Sequence, residues 1–307
     1  MTVPQPTSGP EQAAGASHPG EPDDARRGIV RTAVASILVT SNDAVIKWLS
    51  DEIPIGEIIA LRGVFMLAPV AFLVWRFGGM QALRVRDHRA QGLRTAFFVA
   101  ATFLFLNGLG RMPLADATAI VFAEPLFVTL LAIPLLGERV GWRRFSAIAV
   151  GFLGVLLMVQ PTGDAFRLAA LLPLGAALCV AAVGVITRRI SRTETTASML
   201  VYGSVAVMAA GFLTAFAGNW RMPGLADLGL LAIGATMLGI ANFLFIEGLR
   251  LAEATVVTPY KYVSLIWALV LGLVLWRHLP DTWTAAGALL VAACGLYIWH
   301  REARVET

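Results

Sequence analysis

The feature that most restricts the fold of this chain is that it is written twice. Phe103–Leu109 reads FLFLNGL, and Phe243–Leu249 reads FLFIEGL, 140 residues later. Leu114-Ala115-Asp116-Ala117-Thr118 comes back as Leu251-Ala252-Glu253-Ala254-Thr255, 137 residues later, so the second copy has the shorter turn. Ala44-Val45-Ile46-Lys47 aligns with Gly184-Val185-Ile186-Thr187, Leu61-Arg62-Gly63 with Val201-Tyr202-Gly203, and Gly154 with Gly295. A chain made of two copies of one unit is expected to fold as two similar units packed on each other.

Neither copy is polar enough to stand in water. Of 307 residues, 57% are hydrophobic and 14% charged, and the mean hydropathy is +0.73. A soluble domain carries about a quarter charged residues. Apolar runs of about 20 residues recur, each long enough at ~1.5 Å per residue to cross ~30 Å of hydrocarbon. They predict an all-α membrane protein of ten transmembrane helices, at roughly 28–49, 57–77, 92–110, 114–136, 142–160, 166–189, 196–217, 226–249, 252–276 and 282–300. The expected organisation is a disordered cytoplasmic tail at 1–27, five-helix repeats at 28–160 and 166–300, and a short cytoplasmic tail at 301–307. The first 27 residues hold no apolar segment, so no cleavable signal is expected and the first span is the expected targeting element. Cys179 and Cys294 lie inside apolar runs and read as small hydrophobes.

Arginine sets the orientation. With the N-terminus in the cytoplasm, seventeen arginines fall on the inner side, among them Arg84, Arg86, Arg89, Arg143 and Arg144. Only Arg111, Arg167, Arg221 and Arg277 fall on the outer side, so both termini are expected inside. Seven of eight tryptophans lie at or near span ends, at the headgroup depth an amphipathic ring prefers, and Trp267 alone is in mid-span. Five spans per copy is an odd number. The second copy must enter from the opposite side, and the two repeats are expected to be inverted about an axis in the membrane plane. Inverted repeats are the architecture of alternating access around a midplane site.

Two five-span copies, Gly137-Glu138 closing the fourth span, Arg62 early in the second, and glycine-rich fifth and tenth spans resemble the EamA-type branch of the drug/metabolite transporter superfamily. The resemblance covers about residues 28–300. Within that family the chain looks most similar to bacterial exporters of amino acids and related metabolites. The resemblance implies a multi-pass protein of the bacterial inner membrane that exports a small molecule, as a monomer or homodimer. Where copy one has Gly137-Glu138, copy two has Arg277-His278.

The candidate site residues are the charges inside apolar spans, because an ion in hydrocarbon is costly and usually faces the interior with a function. Glu124 lies midway along the fourth span and Lys261 in the ninth, at equivalent places in the repeat. They read as the groups that hold the two ends of a zwitterion, or as a static ion pair; Glu124 is also the candidate for proton coupling. Pro125 and Pro259 stand beside them and are expected to kink both helices, freeing carbonyls at the midplane. Asn242, Asn107 and Glu247 belong to the repeated core and are further candidates. Trp267, Tyr260 and Phe103 are candidates for an apolar wall against substrate. In the first span Asp43 and Lys47 are four residues apart, stacked on one face and free to pair, and Arg62 is placed to neutralise Asp43. With Glu247 these form the expected gate and ion-pair set. Asp116 and Glu253 each open a helix, where capping is the expected role.

Other classes lack their chemistry here. No GxxxxGK[ST] loop exists for nucleotide hydrolysis, so the driving force is expected to be the substrate gradient or protons. The four histidines, His18, His88, His278 and His300, avoid the middle of every span, which leaves no paired metal ligands and no intramembrane Ser–His couple for an enzyme. No metal, no cofactor and no nucleic-acid partner is expected; the partners are a small-molecule substrate and the lipid bilayer. A channel or lipid scramblase is the alternative reading, although a channel more often surrounds its pore with like charges.

Overall fold

A computed structural model describes residues 22–76, 79–136, 142–159, 169–190, 193–217, 220–251 and 258–303. These residues form helices and no strand. In order they are α1 (Pro22–Leu49), α2 (Ile55–Arg76), α3 (His88–Leu109), α4 (Leu114–Val121), α5 (Glu124–Leu136), α6 (Trp142–Val159), α7 (Leu171–Ile190), α8 (Thr196–Leu213), α9 (Leu225–Leu251), α10 (Val263–Trp276) and α11 (Thr282–Ala303). Short 3-10 turns occupy Gly79–Leu83, Thr214–Ala217 and Thr258–Tyr262. Among the described residues, six segments are long and apolar enough to cross a membrane: Asp24–Leu49, Ile55–Arg76, His88–Leu109, Leu114–Leu135, Thr196–Phe216 and Leu225–Phe245. Four shorter apolar helices accompany them, at Phe145–Val159, Leu171–Thr187, Tyr260–Trp276 and Thr282–Tyr297. The chain is a multi-pass membrane protein. Helix α1 starts at Pro22, ahead of the expected 28.

Local chemistry explains the helix ends. Asp87 caps α3 by accepting the Ala90 N–H at 3.0 Å, and Thr195 caps α8 by accepting the Ser198 N–H at 3.1 Å. Helix α10 stops at Arg277, whose φ of 54° lies in the left-handed region that only glycine adopts without cost. The first copy carries a glycine, Gly137, at the matching place.

The expected fourth span is interrupted. Where one kinked helix was expected over 114–136, α4 ends at Val121, Phe122-Ala123 forms a turn, and α5 starts again at Glu124. Pro125 has no N–H to give the Val121 carbonyl, and the Leu126 N–H closes on Ala123 at 3.0 Å. In the second copy the turn Thr258–Tyr262 precedes α10. The ring of Phe122, at the interruption of the first copy, stacks on Tyr262, in the turn ahead of α10, with centroids 4.6 Å apart and planes 20° apart.

Packing partners swap when the copies are exchanged. Helix α1, first in copy one, packs on α9, third in copy two; α3 packs on α7 in the same way. Second helix meets second (α2 with α8) and fifth meets fifth (α6 with α11). Lipid offers apolar groups the same company as protein does, so such helices associate through close backbone approach, which small residues permit. A Cβ added at Gly211 would lie 2.6 Å from the Ala60 nitrogen, and one at Gly63 would lie 2.6 Å from the Met208 Cβ. Rising numbers in α2 meet falling numbers in α8, so this pair is antiparallel. Between them the helices enclose a core that includes Ile46, Ile58, Ile59, Leu106, Leu109, Ile120 and Leu126, each at most 2% exposed.

Candidate functional site

A cavity of about 440 Å³ opens where α1, α2, α3, α7 and α9 converge on the α4–α5 break and the Thr258–Tyr262 turn. Asp43 on α1 and Arg62 on α2 face it from one side, and Glu124 and Lys261 enter from that break and that turn. Asn42, Thr40, Thr118, Asn242 and Ser264 add hydrogen-bonding groups, and Phe98, Phe105, Phe122 and Phe245 line the remainder. Each charge is held by the local backbone. Glu124 is the first residue of α5, where an acid is favoured by the positive helix end. Lys261 lies in the Thr258–Tyr262 turn, and its ammonium sits over the Phe245 ring at 4.5 Å.

No ion pair within 4.0 Å joins any two of these four charges. The expected Asp43–Arg62 pair is therefore not made here, nor the static pair that was one of the two readings of Glu124 and Lys261, although all four groups share one space. Asp43 instead accepts the Asn42 side-chain N–H at 3.1 Å, and the buried Asn42 Oδ1 has no hydrogen-bond partner. Two acids and two bases leave the cavity formally neutral yet polar at both signs.

Other candidates sit elsewhere. Lys47 does not pair with Asp43: its Nζ donates to the Leu109 and Met112 carbonyls at 3.0 and 2.7 Å and lies 5.8 Å from the Trp276 ring centroid. A helix C-terminus attracts a cation, and the end of α3 outcompetes a carboxylate one turn away. Trp267 does not line the cavity; its indole N–H donates to Ser41 Oγ at 2.9 Å and ties α10 to α1. Tyr260 is 40% exposed, and Phe103 packs against the core. Asn107 lines a separate open cleft of about 700 Å³ with Asp51, Glu52, Arg111, Trp220 and Arg221. That cleft is larger, but it lies at the helix connections and none of the four central charges reaches it. Glu247 pairs with Arg31 at 3.3 Å, joining α9 to α1. Asp116 lies in the first turn of α4 but does not cap it; Pro113 holds the cap position and the buried Asp116 Oδ1 has no partner. Glu253, Gly137 and Glu138 lie outside the described residues.

Sequence reasoning missed Phe122, Phe245, Ser264 and Thr118 as cavity residues. A signal existed for two of them: Phe245 falls inside the repeated FLFIEGL, and Phe122 stands two residues before the mid-span acid.

The same family model, that of the EamA-like transporter family, matches the chain twice, over residues 26–160 and 167–299. The chain belongs to the EamA-like transporter family. Among its relatives, an S-adenosylmethionine uptake transporter of Rickettsia bellii is 28% identical over 86% of this chain and 90% of its own length. A riboflavin transporter of Rhizobium johnstonii is 26% identical over 93% of this chain and 95% of its own. A pseudopaline exporter of Pseudomonas aeruginosa is 27% identical over 88% and 95%. A solved crystal structure superposes on 93% of this chain and 99% of its own with a TM-score of 0.64, and at 16% identity the likeness is one of fold. The chain is a membrane transporter of this family, and its named relatives carry small metabolites.

Proposed function

We propose that this EamA-family transporter is a secondary transporter that exports amino acids or related small metabolites across the inner membrane by alternating access around the central cavity. Its two five-helix halves are inverted with respect to each other, a reading that the antiparallel packing of α2 on α8 supports. The observation that carries the proposal is the set of four unpaired charges, Asp43, Arg62, Glu124 and Lys261, drawn from both copies onto one cavity. Charges that served only to satisfy each other would close into ion pairs; held apart, they offer both signs to a solute. The carboxylate of a zwitterion would lie against Arg62 or Lys261, and its ammonium against Asp43 or Glu124. The phenylalanines would take the side chain. Glu124 and Asp43 are the groups able to exchange a proton with the cavity if transport is proton-coupled. The relatives named above include both an uptake protein and an exporter, so the direction is tested by counterflow.

Flux of labelled amino acids into proteoliposomes tests the site. Glu124→Gln, Lys261→Met, Arg62→Met and Asp43→Asn should each lower flux by roughly tenfold or more, the loss of one hydrogen bond to a charged group at ~1.5–3 kcal/mol. Wild-type flux in all four would refute the site. A competition screen across amino acids, nucleosides and flavins would then order the substrates.

A further inference from the structure

A buried glutamate bridges the two halves at each end of the α2–α8 pair. Glu194, 6% exposed, lies in the turn ahead of α8, in the second half. Its Oε1 accepts the backbone N–H groups of Arg86 at 2.7 Å and Asp87 at 2.8 Å, from the α2–α3 connection of the first half. Glu57, 1% exposed, lies in the first turn of α2, in the first half. Its Oε2 accepts the Arg221 N–H at 3.0 Å, from the α8–α9 connection of the second half. Because α2 and α8 are antiparallel, these contacts stand at opposite ends of the pair.

They are unequal, and the sequence gives the reason. The two residues ahead of α3 are Arg86 and Asp87, and each has an N–H to offer. The two ahead of α9 are Pro223 and Gly224. Proline has no N–H, and the Gly224 N–H is taken by Asp227 Oδ2 at 3.0 Å. Among the described residues Glu57 is left with one donor, Arg221, from further back in the loop and at the longer distance.

A buried carboxylate is strongly stabilised by charge-assisted bonds from N–H groups, and its release from them is costly unless water reaches it. Halves that part at one end must pull the loop from the carboxylate there and admit water, while the other end stays shut. We infer that Glu57 and Glu194 are the latches of two opposed gates, and that the two-donor latch at Glu194 biases the protein toward the conformation closed at its end. The inference rests on the alternating-access reading. With the orientation that the arginines predict, Glu194 lies at the cytoplasmic face, and the favoured conformation opens its cavity outward.

The test uses the full chain with Cys179 and Cys294 replaced by alanine and a reporter cysteine, Val180→Cys, at a half-buried position of the cavity wall. Its rates of reaction with a membrane-impermeant maleimide are compared in right-side-out and inverted membrane vesicles. Glu194→Ala should shift the ratio of outer to inner labelling toward the inner side by roughly a hundredfold, the worth of two hydrogen bonds to a charge at ~1.5 kcal/mol each. Glu57→Ala should shift it the other way by less. Arg86→Pro removes one donor and leaves the glutamate in place; it should move the ratio as Glu194→Ala does but by less, and it serves if the alanine variant does not fold. A wild-type cysteine reached from both sides, with a ratio unchanged in Arg86→Pro and Glu194→Ala or moved the same way by Glu57→Ala, overturns the latches and leaves alternating access standing. A wild-type cysteine reached from one side only, unchanged in every variant, overturns both.

Discussion

Replacing Lys47 by methionine separates a strut from a gate. In the structure its ammonium holds the last carbonyl of α3, Leu109 at 3.0 Å, and that of Met112 in the turn after it at 2.7 Å, and makes no ion pair with Asp43. A hydrogen bond to a charged group contributes ~1.5–3 kcal/mol. Two such bonds are lost, while the thioether keeps the packing of the stem, so about 3 kcal/mol is the expected loss. At about 2 °C per kcal/mol for a chain of this size, thermal unfolding in detergent should fall by about 6 °C. Lys47→Arg, which keeps the donors, should recover part of it. The decisive comparison adds Asp43→Asn alone and in combination. Side chains that do not touch couple by less than ~0.5 kcal/mol, whereas an ion pair couples by ~0.5–3 kcal/mol. If Asp43→Asn rescues Lys47→Met by several degrees, the two residues pair and the assignment of Lys47 to the end of α3 is wrong.

Three further substitutions have definite expectations. Gly295→Ala places a methyl group against the Tyr262 hydroxyl and should push that ring off Phe122; over-packing of this kind costs ~1–3 kcal/mol, and adding Tyr262→Phe should restore most of it in thermal unfolding. Trp267→Phe removes the hydrogen bond to Ser41 and should lower stability by ~1 kcal/mol with flux within about twofold of wild type; a tenfold loss of flux would return Trp267 to the substrate wall. Arg277→Gly relieves the positive φ and should raise the unfolding temperature by the equivalent of ~1 kcal/mol, and a fall would refute that account.

The all-helical, apolar, two-unit character was legible because lipid leaves so few options: apolar length and the recurring FLFLNGL pattern point to a helical bundle in two units. Glu124 and Lys261 stood out for the same reason, since a charge within an apolar run has to be explained; Asp43 and Arg62 were expected in a gate and ion-pair set, and both line the cavity. Their mutual geometry was not. Whether two charges pair is decided by a few ångströms set by helix register, and spacing along one chain does not carry that information. Lys47 shows this most plainly, because the carbonyls that claim it, at the end of α3 and in the turn after it, are 62 and 65 residues away. Aromatic side chains were misassigned because mid-span depth says nothing about which way a ring turns: Trp267 faces Ser41, while Phe122 and Phe245 face the cavity. Glu57 and Glu194 gave no signal, since an acid near a span end is ordinary and their partners are backbone groups.

The contact between α6 and α11 carries one more consequence. A Cβ at Gly154 would lie 2.9 Å from the Gly287 carbonyl oxygen, so these last helices of each unit meet almost bare backbone to bare backbone. Such a seam is read by shape alone and demands no covalent tether. Fragments 1–160 and 166–307, made in one cell as separate polypeptides, ought to find each other and co-purify, and a leucine at Gly154 or Gly287 ought to keep them strangers.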